Sequence, residues 1–242
     1  MREDGAMSAA RTRDRSAPWL AGIGVTRTQP LSPQIYRLVR DAIISAALPP
    51  KAAINEAEIA LALGVSRTPV REALLNLQRD GLVEIRPQAG TYVTPIRRAL
   101  VEEGMIVREA LEVKCAALAA ERITSPEIDA LRAASGEMAA AAARGDQPGF
   151  ISADDRYHRI LLDAAGLPHV QSIIAGVNAH LDRVRFHSTG FPDRAAEAMV
   201  EHEEVIAALA RRDAAASAAA IHAHLLRAWD NIRALCDQHG YV

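Results

Sequence analysis

Residues 63–93 read LGVSRTPVREALLNLQRDGLVEIRPQAGTYV, and the punctuation of this stretch decides the architecture of the front of the chain. Gly64-Val65-Ser66 is a tight turn, after which Ser66 is placed to cap a helix running to about Arg79, with Pro69 tolerated in its first turn. Val70, Ala73, Leu74 and Leu77 recur at helical spacing and predict its buried stripe. Gly81 closes the helix. Residues 82–86 and 91–94 then alternate around Pro87-Gln88-Ala89-Gly90, the pattern of a two-stranded hairpin.

Upstream, Ser32 and Pro33 open a helix in which Ile35, Leu38, Val39, Ala42 and Ile43 form one face, and Leu48-Pro49-Pro50 stops it. Asn55 with Glu58 three residues later reads as a capping box for a short helix, with Ile59, Ala60 and Leu63 inward and Gly64 at its end. Helix, helix, turn, helix and hairpin follow one another in the order of a winged helix-turn-helix, whose second paired helix enters the major groove. Arg67 and Arg71 are four apart and face away from the apolar stripe, and a guanidinium suits bidentate reading of guanine. Ser66 and Thr68 stand where hydroxyls reach phosphates. The competing reading leaves both arginines as solvated surface residues, Arg71 pairing with Glu72 or Glu84.

The same string resembles the DNA-binding domain of GntR-family bacterial transcription regulators over residues 31–96. The resemblance implies that Arg67 and Arg71 contact bases and that the wing tip at Gly90 approaches the minor groove, with Gln88 a further contact candidate. Two positions depart from the pattern: Lys51-Ala52 stands where relatives usually have a Gly after Pro, and Ala57 replaces an Arg that touches DNA in some members.

With 242 residues, half of them apolar, and a mean hydropathy of −0.01, the chain has material for one core and a second. No run of about 18 apolar residues is present, which excludes a membrane-spanning helix. Residues 1–29 carry five arginines, no sustained period and no apolar signal-peptide core, so they read as a flexible arm of a cytoplasmic protein. Cys115 and Cys236 have no CxxC spacing and suit a reducing compartment. The net charge of −2 is divided unevenly: residues 1–29 carry +2, residues 30–98 carry +3 and residues 99–242 carry −7. All eight histidines lie in that acidic part, so the two halves are equipped for different partners.

Beyond residue 99 strand signals cease, and breaks such as Thr124-Ser125-Pro126 and Gly190-Phe191-Pro192 separate six predicted helices, at about 100–122, 126–144, 148–165, 168–187, 193–211 and 213–238. An all-α bundle buries their faces on one another, and the 49 alanines allow close approach. Asp154 and His158 share one helix face beside Ile151, Leu161 and Leu162. His202 heads a stripe with Val205, Ile206 and Leu209, and His224 lies with Ile221 and Ala228. One carboxylate and three imidazoles converging from three helices suit a divalent ion, most simply zinc, with nickel or manganese as alternatives. Taken singly, each of these residues also reads as an ordinary core or surface group; four together need partners, which a metal supplies. His169, His222 and His239 read as bystanders, while His180 and His187 approach from the fourth helix.

This spacing resembles the FCD effector-binding domain of the FadR subfamily, spanning residues 100–238, and six helices fit its VanR-like group. The resemblance implies a metal on the four matched residues, a small organic or sugar acid completing its coordination, and Arg108 holding the acid's carboxylate. Arg183 and Arg185 lie on a pocket-side helix with room for one inward, and Tyr157 replaces a more usual Phe.

The expectation is therefore a mostly α protein: an arm at 1–29, a winged helix-turn-helix of three helices plus a β-hairpin at 30–96, and an all-α six-helix FCD domain for effector binding and dimerisation at 97–242. Its function is that of a regulator, most often a repressor in this family, gripping a palindromic double-stranded operator as a homodimer. A metal-dependent hydrolase would use the same ligands, but Asp155 points elsewhere on the helix and leaves it without a general base. In a third reading the ion itself is the signal.

Overall fold

The computed structural model describes residues 18–20, 22–188 and 192–239. Three helices, α1 (Leu31–Ile44), α2 (Glu56–Leu63) and α3 (Arg67–Arg79), pack on a sheet of β1 (Ala53–Ile54), β2 (Val83–Arg86) and β3 (Gly90–Val93) to form the head. Ile35, Val39, Ile43, Ile59, Val70, Leu74, Leu77 and Leu82 are at most 2% exposed, so the predicted stripes are the core. The winged helix-turn-helix order stands, and Gly64 (φ +63) and Gly81 (φ +75) end their helices in the left-handed region that favours glycine.

Several local expectations are corrected. The sheet has three strands, ordered β1-β3-β2 and antiparallel throughout, rather than a bare hairpin. Lys51 turns the chain at φ +69, where its N–H donates to the Val93 carbonyl at 2.9 Å and the Ala52 carbonyl accepts from Val93 at 2.9 Å. The missing glycine is thus replaced by a lysine in a glycine-like conformation. Ser32 lies inside α1, whose N-cap is Pro30, and Ser66 occupies the N-cap of α3 without making a capping bond. Asn55 does cap α2, accepting from Ala57 and Glu58 at 2.9 and 3.4 Å. The end of the presumed flexible arm is fastened: Leu20 is buried in the head's core, and Arg27 donates to the Gly64 carbonyl at 2.9 Å. Residues 1–17 of that arm lie outside the described residues.

The remaining elements are helices: α4 (Arg98–Arg122), α5 (Ser125–Ala143), α6 (Gln147–Ala164), α7 (Val170–Val177), α8 (Ala179–Ser188), α9 (Pro192–Ala210) and α10 (Ala214–His239). The fourth predicted helix is therefore two, so the described residues of the bundle form seven helical segments, and the count of six no longer supports the VanR-like group. The break falls at Asn178, whose carbonyl starts the next helix by accepting from Asp182 at 2.8 Å. Leu131, Met138, Tyr157, Leu161, Val205, Ile206, Leu209 and Ile221, all fully buried, join α5, α6, α9 and α10 into the main core. Both cysteines are buried free thiols. No helix among the described residues is long and apolar enough to cross a membrane.

Helix α8 is the seam between head and bundle. Ala179 belongs to the head's core, Leu181 and Val184 to a bundle core with Ile96, Met105 and Ile232. Arg183, 1% exposed, donates to the Thr94 carbonyl at 2.9 Å, and the His180 Nδ1 accepts from the Arg97 N–H at 3.2 Å. Burial, with Arg183 and Arg97 nearby, pushes the His180 imidazole down to about 4. An unfolded histidine takes up a proton that the folded one refuses, so this contribution is complete above about pH 6.5 and is lost as pH falls towards 4. His180→Asn keeps an acceptor for Arg97 without the titration, and the expected result is a shallower loss of melting temperature between those pH values than in the parent.

Candidate functional site

The start of α3 presents the predicted reading surface. Ser66, Arg67, Thr68 and Arg71 are exposed, and among the described residues no ion pair or hydrogen bond engages either guanidinium. The alternative in which Glu84 holds Arg71 does not arise, because Glu84 bonds Arg86 at 2.9 Å. With no capping bond of its own, the Ser66 hydroxyl also remains available to a phosphate. The wing is held by Tyr92, whose hydroxyl donates to the Ala89 carbonyl at 2.8 Å while the Arg86 guanidinium lies 5.1 Å from its ring centroid. Gln88 (φ +60) and Gly90 (φ +119) turn the exposed tip.

The second cluster lies inside the bundle. Asp154 and His158 come from α6, His202 from α9 and His224 from α10, with exposures of 9%, 5%, 0% and 4%. One nitrogen from each imidazole lies within 4.8 Å of the others. The Asp154 Oδ1 is 3.6 Å from the His202 Nε2 and 3.9 Å from the His158 Nε2. Helical periodicity thus brought all four together, although Asp154 is shared: its Oδ2 accepts from Arg185 at 2.5 Å.

Two carboxylates missed in the sequence orient the rings. The His158 Nδ1 faces the Glu112 Oε2 at 2.7 Å and the His224 Nδ1 faces the Glu201 Oε2 at 2.7 Å. Each carboxylate is itself held by arginine, Glu112 by Arg108 at 2.6 Å and Glu201 by Arg227 at 2.7 Å. Donating Nδ1–H to a carboxylate leaves the Nε2 lone pair facing inward, the arrangement that prepares a histidine for a metal. The Nε2 of His158 and both ring nitrogens of His202 are buried without a hydrogen-bond partner. Such atoms are expensive to leave unsatisfied, and a single divalent cation would satisfy one nitrogen of each ring. His202 is braced by Tyr157, stacked at 4.1 Å between centroids and bonded through its hydroxyl to the His202 carbonyl at 2.9 Å.

The electrostatics agree with this donor set. Burial, then the neighbouring His224, holds His202 well below the ordinary histidine range, and burial lowers His224 against the opposing pull of Glu201. Burial alone would raise the Asp154 carboxyl, but His158 when protonated and Arg185 permanently hold it below the usual carboxylate range. Burial would likewise raise Glu112, and Arg108 and His158 outweigh it. The shifts favour neutral His202 and His224 and an ionised Asp154, the states that bind metal.

Arg108, 4% exposed, lines a cavity of about 50 Å³ with Asp154, His158, Arg185, His224 and Asn231. Arg185, not Arg183, is the inward guanidinium, also reaching Asp155 at 3.1 Å and Asp182 at 3.2 Å. His180 serves the seam, His222 bonds Glu109 at 3.1 Å, and the His187 side chain lies outside the described residues.

Comparison with known proteins agrees with both halves. The family described as "Bacterial regulatory proteins, gntR family" matches residues 31–93, and the FCD domain matches residues 103–227. The HTH-type transcriptional repressor RspR of Escherichia coli is 33% identical over 213 residues, covering 88% of this chain and 93% of the relative. A probable D-xylose utilization operon transcriptional repressor of Paenarthrobacter nicotinovorans is 35% identical over 141 residues, 58% of this chain and 62% of its own length. Among solved structures, E. coli McbR/YncC superposes with a TM-score of 0.75 over 86% of this chain and 98% of the other, at 22% identity, a likeness of fold. The chain belongs to the GntR family of bacterial transcription regulators, with a winged helix-turn-helix head followed by an FCD domain.

Proposed function

We propose that this regulator is a metabolite-responsive repressor that binds a palindromic operator as a homodimer and whose grip is set by a small organic or sugar acid at a divalent metal. Asp154, His158, His202 and His224 would hold the ion, most simply zinc, with nickel or manganese as alternatives, and Arg108 would receive the acid's carboxylate. The observation that carries this reading is that the Nε2 atoms of buried His158 and His202 have no hydrogen-bond partner among the described residues and lie 3.9 and 3.6 Å from the Asp154 Oδ1, with the outer nitrogens of His158 and His224 fixed by carboxylates. The metal supplies Lewis acidity for an anionic ligand; the chain supplies orientation and a charge path out of the site. That path runs from Asp154 through Arg185 to Asp182, which pairs with Arg40 on α1 of the head. A ligand that changes how Asp154 shares Arg185 thereby alters a contact holding the head, which is the differential interaction an effector needs.

The test pairs elemental analysis with operator titrations in the presence of metal, of an acid panel, and of both. A near-stoichiometric ion and an acid response that disappears with chelator support the proposal; operator affinity set by metal alone makes the ion the signal. Arg108→Lys keeps a cation for Glu112 but loses the fork that grips a carboxylate, so the acid response should weaken while metal content holds. Asp182→Asn is expected to leave metal content intact and shrink the acid-induced change in operator affinity; an undiminished change would remove Asp182 from the path.

A further inference from the structure

A second cavity, of about 220 Å³, lies beneath α7 on the outer side of the His158–Glu112 pair. It shares Arg108, His158 and Arg185 with the smaller cavity at the histidine cluster, and its wall also includes Arg40 of the head. A ligand here would touch both domains at once. Four guanidinium groups line it: Arg40, Arg108, Arg159 and Arg185. Its acids are already engaged, Glu112 by Arg108, Asp155 by Arg185 and Asp182 by Arg40 and Arg185. Arg159 has no ion pair or hydrogen bond among the described residues, so the wall retains one uncompensated positive charge.

The second observation is independent of that charge. Asn178, 7% exposed, lines the same cavity, and its buried Oδ1 has no hydrogen-bond partner. An orphaned acceptor asks for a donor such as a hydroxyl, whereas a free guanidinium asks for a carboxylate. Both needs are met by one molecule class. The volume of about 220 Å³ accepts a short-chain acid.

We propose that this outer cavity is a binding site for a small hydroxy acid, independent of the metal, with its carboxylate on Arg159 and a hydroxyl on the Asn178 amide. This goes beyond the metal-centred reading and does not rest on it. Because Arg40 and Asp182 form part of the wall, occupancy would brace the contact between α1 and α8.

The test is calorimetric titration of the full chain, stripped with chelator, with gluconate, tartrate and lactate, and with hexanoate as the carboxylate lacking hydroxyls. The expected result is binding of at least one hydroxy acid at concentrations up to about 10 mM, where a millimolar site fills. The untreated and the chelator-stripped chain should bind it alike. Arg159→Gln, an exposed change that spares the core, should weaken it about tenfold or more, the effect of losing one charge-assisted contact. Asn178→Leu should narrow the preference for hydroxy acids over hexanoate. Loss of all acid binding on chelation would return the acids to the metal centre and overturn the proposal. So would unchanged affinity in Arg159→Gln, or no binding of any of the three hydroxy acids to the stripped protein. Metal content, read separately, is indifferent to each of these outcomes and keeps the two readings distinguishable.

Discussion

Arg67→Ala is expected to lower affinity for the specific operator by about 2–6 kcal/mol, since a bidentate arginine–guanine pair is worth about 1–3 kcal/mol and the proposed homodimer on a palindromic operator would use two. The side chain is exposed at the first turn of α3 and has no partner among the described residues, so its removal costs the fold nothing that the structure shows. Binding to scrambled DNA should change much less, because that component comes from phosphates and counterion release. The experiment is fluorescence anisotropy at one fixed salt concentration, using a site selected in vitro with the parent protein, beside a thermal melt of both proteins. Equal losses on specific and scrambled DNA would make Arg67 a phosphate contact. Retained specificity would dismiss it from the reading helix.

His202→Leu should abolish the thermal stabilisation conferred by metal and bring bound metal well below one ion per chain. For the parent, a ligand present at a thousandfold excess over its Kd adds about 4 kcal/mol of stability, and this increment should vanish in the variant. The sign in chelator is less obvious and more telling. In the metal-free parent two buried ring nitrogens lack partners, each a penalty of about 1–3 kcal/mol. Leucine has similar volume and no polar atom, so stripped His202→Leu should be at least as stable as the stripped parent, despite losing the stack on Tyr157. A core histidine kept for packing alone would give the reverse, a less stable variant whose zinc response survives.

The head was legible because its helices each bury one face, and a single apolar stripe is what a sequence displays best. The four inward residues of the bundle were legible for the same reason, since each sits within a stripe whose direction is unambiguous. Strand β1 has two residues, too few to show a period, and depends on Lys51 adopting a conformation that residue type does not advertise. Glu112 and Glu201 look like surface acids until Arg108 and Arg227 are placed beside them; for Glu112 the hint was its place four positions after Arg108, and Glu201 had none because Arg227 lies on another helix. The choice between Arg183 and Arg185 was hidden by an assumption. Residues two apart on a helix point about 200° from one another, so room was expected for only one of them inward. Helix α8 has no wet side there, because the head covers one face and the bundle the other, and both guanidiniums are enclosed.

That double burial has a practical consequence for anyone building hybrid sensors from this scaffold. The natural cut for a head transplant follows residue 96, between the end of β3 at Val93 and the start of the long helix α4 at Arg98. A head moved across that cut leaves behind Ala179, which completes its core, Arg183, which satisfies the Thr94 carbonyl, and Asp182, which neutralises Arg40. The exchangeable unit is therefore discontinuous: a grafted head carries its own specificity intact only if the three residues Asp182, Arg183 and Ala179 are supplied by, or written into, the recipient's equivalent of α8.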